Sequence, residues 1–195
     1  MLAESKPYKH INVRIDSVEN LRLPSFVHCF NSIIDEGEIP TFDSFTSKYL
    51  ADNYLRLTRN LKADEVKGLL GRLSRVYPSL IREYQLYLIL KDDKRLKACA
   101  AKVFRDTEVD KAGIDVIIEI GSRKFGLKIY QGTRSSLQWR KRKNQSRDHF
   151  PKDIEPINVV FKPKNGKALN EYWLFREKTA TKVVDLILKK CKTKN

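Results

Sequence analysis

The chain has 195 residues, 41% of them hydrophobic, which is enough for one packed domain or for one domain with a smaller attachment. With 39 Lys and Arg against 24 Asp and Glu, its formal net charge of +15 favours a polyanionic partner such as nucleic acid. A soluble basic protein without such a partner is the plainer alternative. The three scattered cysteines form no CxxC pair, which argues against a zinc site and a disulfide framework.

The N-terminal sequence lacks the apolar run of a signal peptide, and no stretch of about 18 apolar residues could span a membrane. We therefore expect a cytoplasmic protein with no membrane partner. Residues 1–77 predict an arm followed by a small helical subdomain. Alternation over Ile11–Ile15 is compatible with a short strand or an extended arm. Helices are predicted from Phe26 to about Glu36, from Pro40-Thr41 to about Leu57, and from about Ala63 to Tyr77.

Pro78-Ser79 is predicted to end this region, and residues 78–195 predict an α/β (α+β) domain with a mixed sheet flanked by helices. A helix from Leu80 to about Lys91 is apolar around most of its circumference, as is typical of a helix buried between layers. Gly121-Ser122 separates two apolar runs and predicts a hairpin. Strands are predicted over 98–104, 113–120, 124–130, 157–161 and 172–175, before a closing helix over 179–190.

Three ionisable residues lie in apolar surroundings within these elements. Asp115 and Lys128 are predicted on the two strands of the hairpin, within reach of each other, and Glu83 lies in the apolar helix. An ionised side chain is costly in such a setting unless it is paired or binds a metal. Two carboxylates that bind Mg²⁺, beside a lysine that stabilises a phosphorane, suit phosphodiester hydrolysis. A buried Asp–Lys ion pair with an exposed Glu is the alternative interpretation.

Glu83 in a helix, Gly113-Ile114-Asp115 on a strand and Phe125-Gly-Leu-Lys128 on the next strand resemble the PD-(D/E)XK nuclease superfamily, over roughly residues 79–175. The resemblance implies a restriction-endonuclease-like αβββαβ core and cleavage of DNA, less often RNA, with Mg²⁺ or Mn²⁺. It implies that the protein is a DNA endonuclease. The residues to which it gives roles are Glu83, Asp115 and the Leu127 carbonyl as metal ligands, Lys128 as the catalytic lysine, and Gln131 as a polar neighbour.

Gly126 departs from the family pattern, because it stands where the acid-x-Lys motif has its acid. Glycine cannot bind a metal through a side chain, so Glu83 is expected to supply what Gly126 lacks. On this hypothesis Gly126→Glu raises activity. The alternative is a catalytically inactive nuclease fold that serves in DNA binding or assembly.

A very basic segment follows the hairpin, with a helix predicted from Leu137 to about Gln145. Clustered Arg and Lys at a helix start can bind phosphates through charge and through backbone N–H groups. The residues expected to contact DNA are Arg134, Ser135, Ser136, Arg140, Lys141, Arg142, Lys143 and Arg147. A solvated basic face is the alternative. A homodimer is plausible, because cleavage of both DNA strands usually needs two sites.

Overall fold

The computed structural model describes residues 9–35, 39–106, 113–132, 151–162, 166–169 and 172–192. These residues form α-helices, a short 3-10 helix at Ala63–Glu65 and β-strands, so the predicted mixed α/β class is confirmed. The helices are α1 (Asp16–Asn20), α2 (Phe26–Asp35), α3 (Phe42–Asp52), α4 (Tyr54–Asn60), α5 (Val66–Asp92), α6 (Lys94–Ala98) and α7 (Glu177–Lys192). The strands are β1 (Lys102–Phe104), β2 (Val116–Ile120), β3 (Arg123–Gln131), β4 (Ile154–Phe161), β5 (Gly166–Leu169) and β6 (Tyr172–Phe175).

The chain divides into two compact units, the first comprising Met1–Leu80 with Leu169–Tyr172, the second Ile81–Ala168 with Trp173–Asn195. Aromatic residues form much of the core of the first unit. The Phe45 ring centroid lies 5.8 Å from that of Phe30 and 6.0 Å from that of Tyr77. The buried hydroxyls of Tyr49 and Tyr77 donate to the carbonyls of Pro24 (3.0 Å) and Pro40 (3.1 Å), so burial leaves neither hydroxyl without a partner.

The N-terminal arm lies along the first part of α5 and has no strand over residues 9–15, so the extended-arm interpretation is confirmed. A methyl group at Gly71 would collide with the Val13 carbonyl, so glycine permits the close approach of the arm. The Arg75 side chain donates to the same carbonyl at 2.8 Å, and the buried Ser74 hydroxyl accepts the Ile11 N–H at 2.8 Å. The arm therefore satisfies its backbone groups on the helix rather than in a sheet.

The predicted helix break at Pro78-Ser79 is wrong, because α5 continues through Pro78. An internal proline removes one backbone hydrogen bond and costs about 3 kcal/mol. Apolar residues on both sides of Pro78 are buried, and burying each such side chain contributes about 1.5–3 kcal/mol. Examples are Leu73 and Tyr77 before the proline and Leu86 and Leu90 after it. The burial of both halves outweighs the cost of the proline.

A four-stranded mixed sheet in the order β1-β2-β3-β4 organises the second unit. β1, β2 and β3 pair antiparallel, whereas β4 is parallel to β3. The predicted hairpin is confirmed, since Ile120 pairs with Arg123 across the Gly121-Ser122 turn and Gly121 has the positive φ of 58° that a tight turn favours. The strand predicted over 98–104 is only three residues long. Asp93 caps α6, and this helix takes up the chain as far as Ala98, so the strand begins later than predicted.

One face of this sheet is covered by the second half of α5 and by α7. Its core comprises the buried residues Leu86, Leu90, Leu96, Val116, Ile118, Phe125, Leu127, Ile157, Val159, Phe161, Phe175, Ala180, Val183, Val184 and Ile187. A separate small cluster contains Ile114, Ile117 and Ile154, with Phe104 packed against it. No helix in the described part of the chain is long and apolar enough to cross a membrane.

Candidate functional site

Asp115 and Lys128 lie at the same end of two adjacent antiparallel strands. Asp115 directly precedes β2, and its backbone N–H donates to the Leu127 carbonyl at 2.8 Å. Its carboxylate oxygen Oδ2 accepts the Ile129 N–H at 2.5 Å. The Asp115 carboxylate is thereby fixed beside the peptide that joins Lys128 to Ile129. Asp115 and Lys128 are both half-buried, as expected for ionisable groups at the edge of an apolar core.

Glu83 lies on α5 at the spacing of two core leucines of the same helix. It precedes Leu86 by three residues and Leu90 by seven, which are the spacings of residues on one helix face. Leu86 and Leu90 are fully buried in the core beneath α5, and Glu83 is half-buried one turn before them. Lys128 alternates along β3 with Leu127, which belongs to the core beneath α5. The Lys128 side chain therefore lies on the face of the sheet away from the helix that carries Glu83.

The turn of α5 that carries Glu83 is anchored at the sheet end where Asp115 lies. Arg82 Cζ lies 4.9 Å from the ring centroid of Phe161, the last residue of β4. Arg105, which follows β1, has its Cζ 5.7 Å from the ring centroid of Tyr84. β2 runs antiparallel to β1 and to β3, and β4 runs parallel to β3. The end of the sheet at which β2 begins is therefore the end towards which the other three strands run.

Part of the predicted hydrolytic site, namely Asp115 with Leu127 and Lys128, comes together at this sheet end. Gln131 is the exposed last residue of β3. The turn of α5 with Glu83 is held to the strands on either side of the hairpin. The opposite end of the sheet is different, since Glu155 there is paired with Arg123 (2.7 Å) and Lys190 (2.5 Å).

Two arginines beside Glu83 and β1 did not enter the sequence prediction. Arg82 is only 8% exposed, and its guanidinium stacks on an aromatic ring. Arg105 has a buried Nε with no hydrogen-bond partner among the described residues. Glu83 was selected because it is a charged residue in an apolar helix. Arg82 has the same property, so the sequence could have indicated it in the same way. Arg105 could not have been found in this way, because it follows a strand that is only three residues long.

Gly126 is enclosed by apolar side chains. A Cβ at this position would lie 2.7 Å from Ile154 Cγ2 and 3.1–3.2 Å from two side-chain atoms of Ile114. A contact below 3.0 Å requires a neighbour to move, so even an alanine would displace Ile154, and a glutamate would displace more. The expectation that Gly126→Glu raises activity stays a prediction, and this packing counts against it, because the larger side chain would have to displace Ile154 and Ile114.

The carboxylates at the sheet end suit magnesium better than zinc. No group of three or more His, Cys, Asp or Glu side chains suited to a metal occurs in the described parts of the chain. Mg²⁺ is often bound by only one or two carboxylates and keeps several waters, whereas structural zinc takes four protein ligands. Glu83 and Asp115 would provide such carboxylates. The Leu127 carbonyl already accepts the Asp115 N–H and has one further lone pair for a metal.

The residues predicted to contact DNA lie outside the described residues. They are Arg134, Ser135, Ser136, Arg140, Lys141, Arg142, Lys143 and Arg147, all within 133–150. Neither a protein-family model nor a curated protein nor a solved structure matches this chain. The resemblance to the nuclease superfamily thus depends on the residues quoted above and on the order of the elements that carry them.

Proposed function

We propose that the protein is a Mg²⁺- or Mn²⁺-dependent endonuclease of the PD-(D/E)XK type that cleaves DNA. The observation that carries the proposal is the hydrogen bond fixing the Asp115 carboxylate beside Lys128, at the sheet end where the Glu83 turn of α5 is anchored. Support also comes from the order of elements. Helix α5, which carries Glu83, and the short helix α6 are followed by three antiparallel strands and then by a strand parallel to the third, which is the strand order expected of an αβββαβ core. The helix expected between the third and fourth strands falls within residues 133–150, outside the described ranges.

Each residue has a distinct role in this proposal. Glu83 and Asp115 would hold the divalent cation, with the Leu127 carbonyl as a further ligand. A cation bound there supplies Lewis-acid activation of the phosphodiester. Lys128 would orient the attacking water and balance the charge that develops on the phosphorus. Gln131, exposed at the end of β3, would contact the substrate beside the site.

Plasmid cleavage in Mg²⁺ and in Mn²⁺ tests the proposal. The cleavage rate should fall by about 100-fold or more in each of three variants, Glu83→Gln, Asp115→Asn and Lys128→Ala. Such a loss is expected when a metal ligand or a group that orients the attacking water is removed. Asp115→Asn is chosen because its side-chain oxygen can still accept the Ile129 N–H. Glu83→Gln and Asp115→Asn should also weaken Mn²⁺ binding measured by calorimetry, whereas Lys128→Ala should leave it nearly intact.

Two matched controls lie on the same elements. Asp92→Asn removes an exposed carboxylate from the far end of α5, and Lys124→Ala removes an exposed lysine four residues before Lys128 on β3. Both should cleave at close to the wild-type rate. Cleavage by Asp115→Asn at the rate of these controls would exclude the proposed site.

A second candidate is a DNA-binding or assembly protein that keeps this fold without turnover. The packing of Gly126 against Ile154 and Ile114 favours it, because the position of the missing acid is occupied by apolar contacts. This candidate predicts that the wild type binds DNA but cleaves neither single- nor double-stranded DNA with either metal.

A further inference from the structure

The short helix α4 in the first unit exposes two large apolar side chains next to each other. Tyr54 is 64% exposed and Leu55 is 70% exposed, while Leu57 of the same helix is buried and anchors it. Arg56 and Arg59 are also exposed. We call Tyr54, Leu55, Arg56 and Arg59 together the α4 face. Leu55 and Arg59 are four residues apart, so they lie one above the other on the outward side of the helix.

The charge of the α4 face is uncompensated. The sequence has no acidic residue from Asn53 to Ala63. The nearest acid before it, Asp52, lies 3.5 Å from Lys48. Asp64 and Glu65 follow it, and Glu65 accepts hydrogen bonds from Ser17 and from the Lys62 N–H. Within the ranges the structure describes, neither guanidinium pairs with a carboxylate. Two arginines without counter-ions attract a polyanion.

The polar residues of α4 do not offer an alternative partner for this face. The Thr58 hydroxyl donates to the Tyr54 carbonyl at 3.0 Å, and the Asn60 amide donates to the Arg56 carbonyl at 2.6 Å. Both side chains thus satisfy the backbone of their own helix. The outward groups that remain are an aromatic ring, an aliphatic side chain and two guanidinium groups.

We infer that the α4 face binds single-stranded nucleic acid, with unpaired bases against Tyr54 and Leu55 and phosphates against Arg56 and Arg59. Unpaired bases stack on exposed aromatic rings, and arginines follow the backbone of the strand. A duplex keeps its bases stacked on one another. Its phosphates could contact the two arginines, but its bases would leave both apolar side chains uncovered. A second copy of the chain is a poorer partner, because it would bring like charges together, and a stable interface needs about 20–30 residues a side.

Fluorescence anisotropy with a labelled single strand and with its duplex, in EDTA to prevent cleavage, tests this inference. Tyr54→Ala should weaken single-strand binding by roughly five- to a hundredfold, the range for removal of one base stack, and Tyr54→Phe should retain most of it. Arg56→Ala/Arg59→Ala should reduce the slope of log affinity against log salt by about 1.4, which is two phosphate contacts to a single strand. Duplex affinity should change little with Tyr54→Ala.

The matched control is Lys94→Ala/Lys97→Ala, which removes two exposed charges from another short helix, α6. If the Arg56→Ala/Arg59→Ala variant behaves like this control, the inference is wrong. It is also wrong if Tyr54→Ala and Leu55→Ala leave single-strand affinity unchanged but dissociate a dimer in analytical ultracentrifugation, since the α4 face would then be an interface between copies. Binding without metal is independent of the hydrolytic site, so failure here and failure of the proposed nuclease activity are separate results.

Discussion

Gly126 marks a position in β3 where an added Cβ would lie 2.7 Å from Ile154 Cγ2, so a neighbour must move to admit it. We expect Gly126→Ala to lower the free energy of unfolding by about 1–3 kcal/mol, the usual cost of overpacking a core. The added methyl would collide with Ile154 Cγ2, an atom that Ile154→Ala removes. The double variant should therefore be less destabilised than the two single variants added together. Urea unfolding of all four proteins measures this coupling.

Strict additivity in that cycle would show that Ile154 does not limit the space at Gly126. Val159 provides a control, because it is buried in the main core rather than in the cluster around Gly126. Val159→Ala should destabilise the protein, yet its effect should add to that of Gly126→Ala.

Asp115 has a structural role that is separable from any catalytic one. Its carboxylate accepts the Ile129 N–H, so Asp115→Ala would leave a part-buried donor without its partner, at a cost of about 1–3 kcal/mol. Asp115→Asn keeps an oxygen at this position and should cost clearly less. Urea unfolding and the hydrogen-exchange rate of the Ile129 amide measure the difference. Equal destabilisation by the two variants would mean that the charge, rather than the hydrogen bond, stabilises this strand end.

Part of this site could be predicted from the sequence, because its cause is local. Two apolar runs around Gly121-Ser122 determine the hairpin, and the hairpin brings Asp115 next to Lys128. The close contact between Gly126 and Ile154 could not be predicted, since Ile154 belongs to a strand 28 positions later whose register only the folded sheet defines. The same holds for the stacking of Arg105 on Tyr84, which joins a strand end to a helix.

At the scale of elements, α6 depends on the cap that Asp93 provides. The Asp93 carboxylate accepts the backbone N–H groups of Arg95 (2.9 Å) and Leu96 (3.2 Å). Burial alone would raise the pKa of Asp93, but hydrogen bonds from the Arg95 side chain and from these N–H groups outweigh it and hold the pKa below its usual value. Asp93→Ala should therefore cost about 1 kcal/mol at neutral pH, the typical value of an N-cap.

The lowered pKa fixes the direction of a pH effect. The unfolded chain takes up the Asp93 proton at a higher pH than the folded protein does. The stabilisation by the carboxylate is thus complete above the usual aspartate pKa of about 3.9 and is lost as the pH falls through the lowered value. The difference in stability between wild type and Asp93→Ala should shrink when urea unfolding is repeated near pH 3. A difference that stays constant between neutral pH and pH 3 would contradict this linkage.

Elements with a strong local pattern were predicted close to their observed bounds, and those decided by tertiary burial were not. Helix α2 and strand β6 have the predicted starts. Helix α5 does not, because a local proline signal at Pro78 is overridden by apolar residues buried on both sides of it. Helix α6 was missed since five residues carry too little periodicity to be recognised without their cap.

For the molecule as a whole, the net charge of +15 predicts binding to nucleic acid that weakens steeply with salt. The charge is not evenly distributed along the sequence, since Arg140, Lys141, Arg142 and Lys143 are consecutive. Many of the other basic residues already have partners, as Arg123 and Lys190 have in Glu155. We expect the basic run to contribute more per residue than the average lysine or arginine, because four consecutive cations can contact neighbouring phosphates.

Replacing Arg140, Lys141, Arg142 and Lys143 together by alanine should therefore weaken DNA binding and flatten its salt dependence. Removing one phosphate contact lowers the slope of log affinity against log salt by about 0.9 for duplex DNA. The control replaces four exposed lysines of α6 and α7 by alanine, namely Lys94, Lys97, Lys178 and Lys182, and so removes the same formal charge. Anisotropy titrations across a range of salt concentrations should give a clearly smaller slope for the first variant than for the control. Equal slopes would mean that only the total charge matters and that the basic run is a solvated surface without a specific contact to DNA.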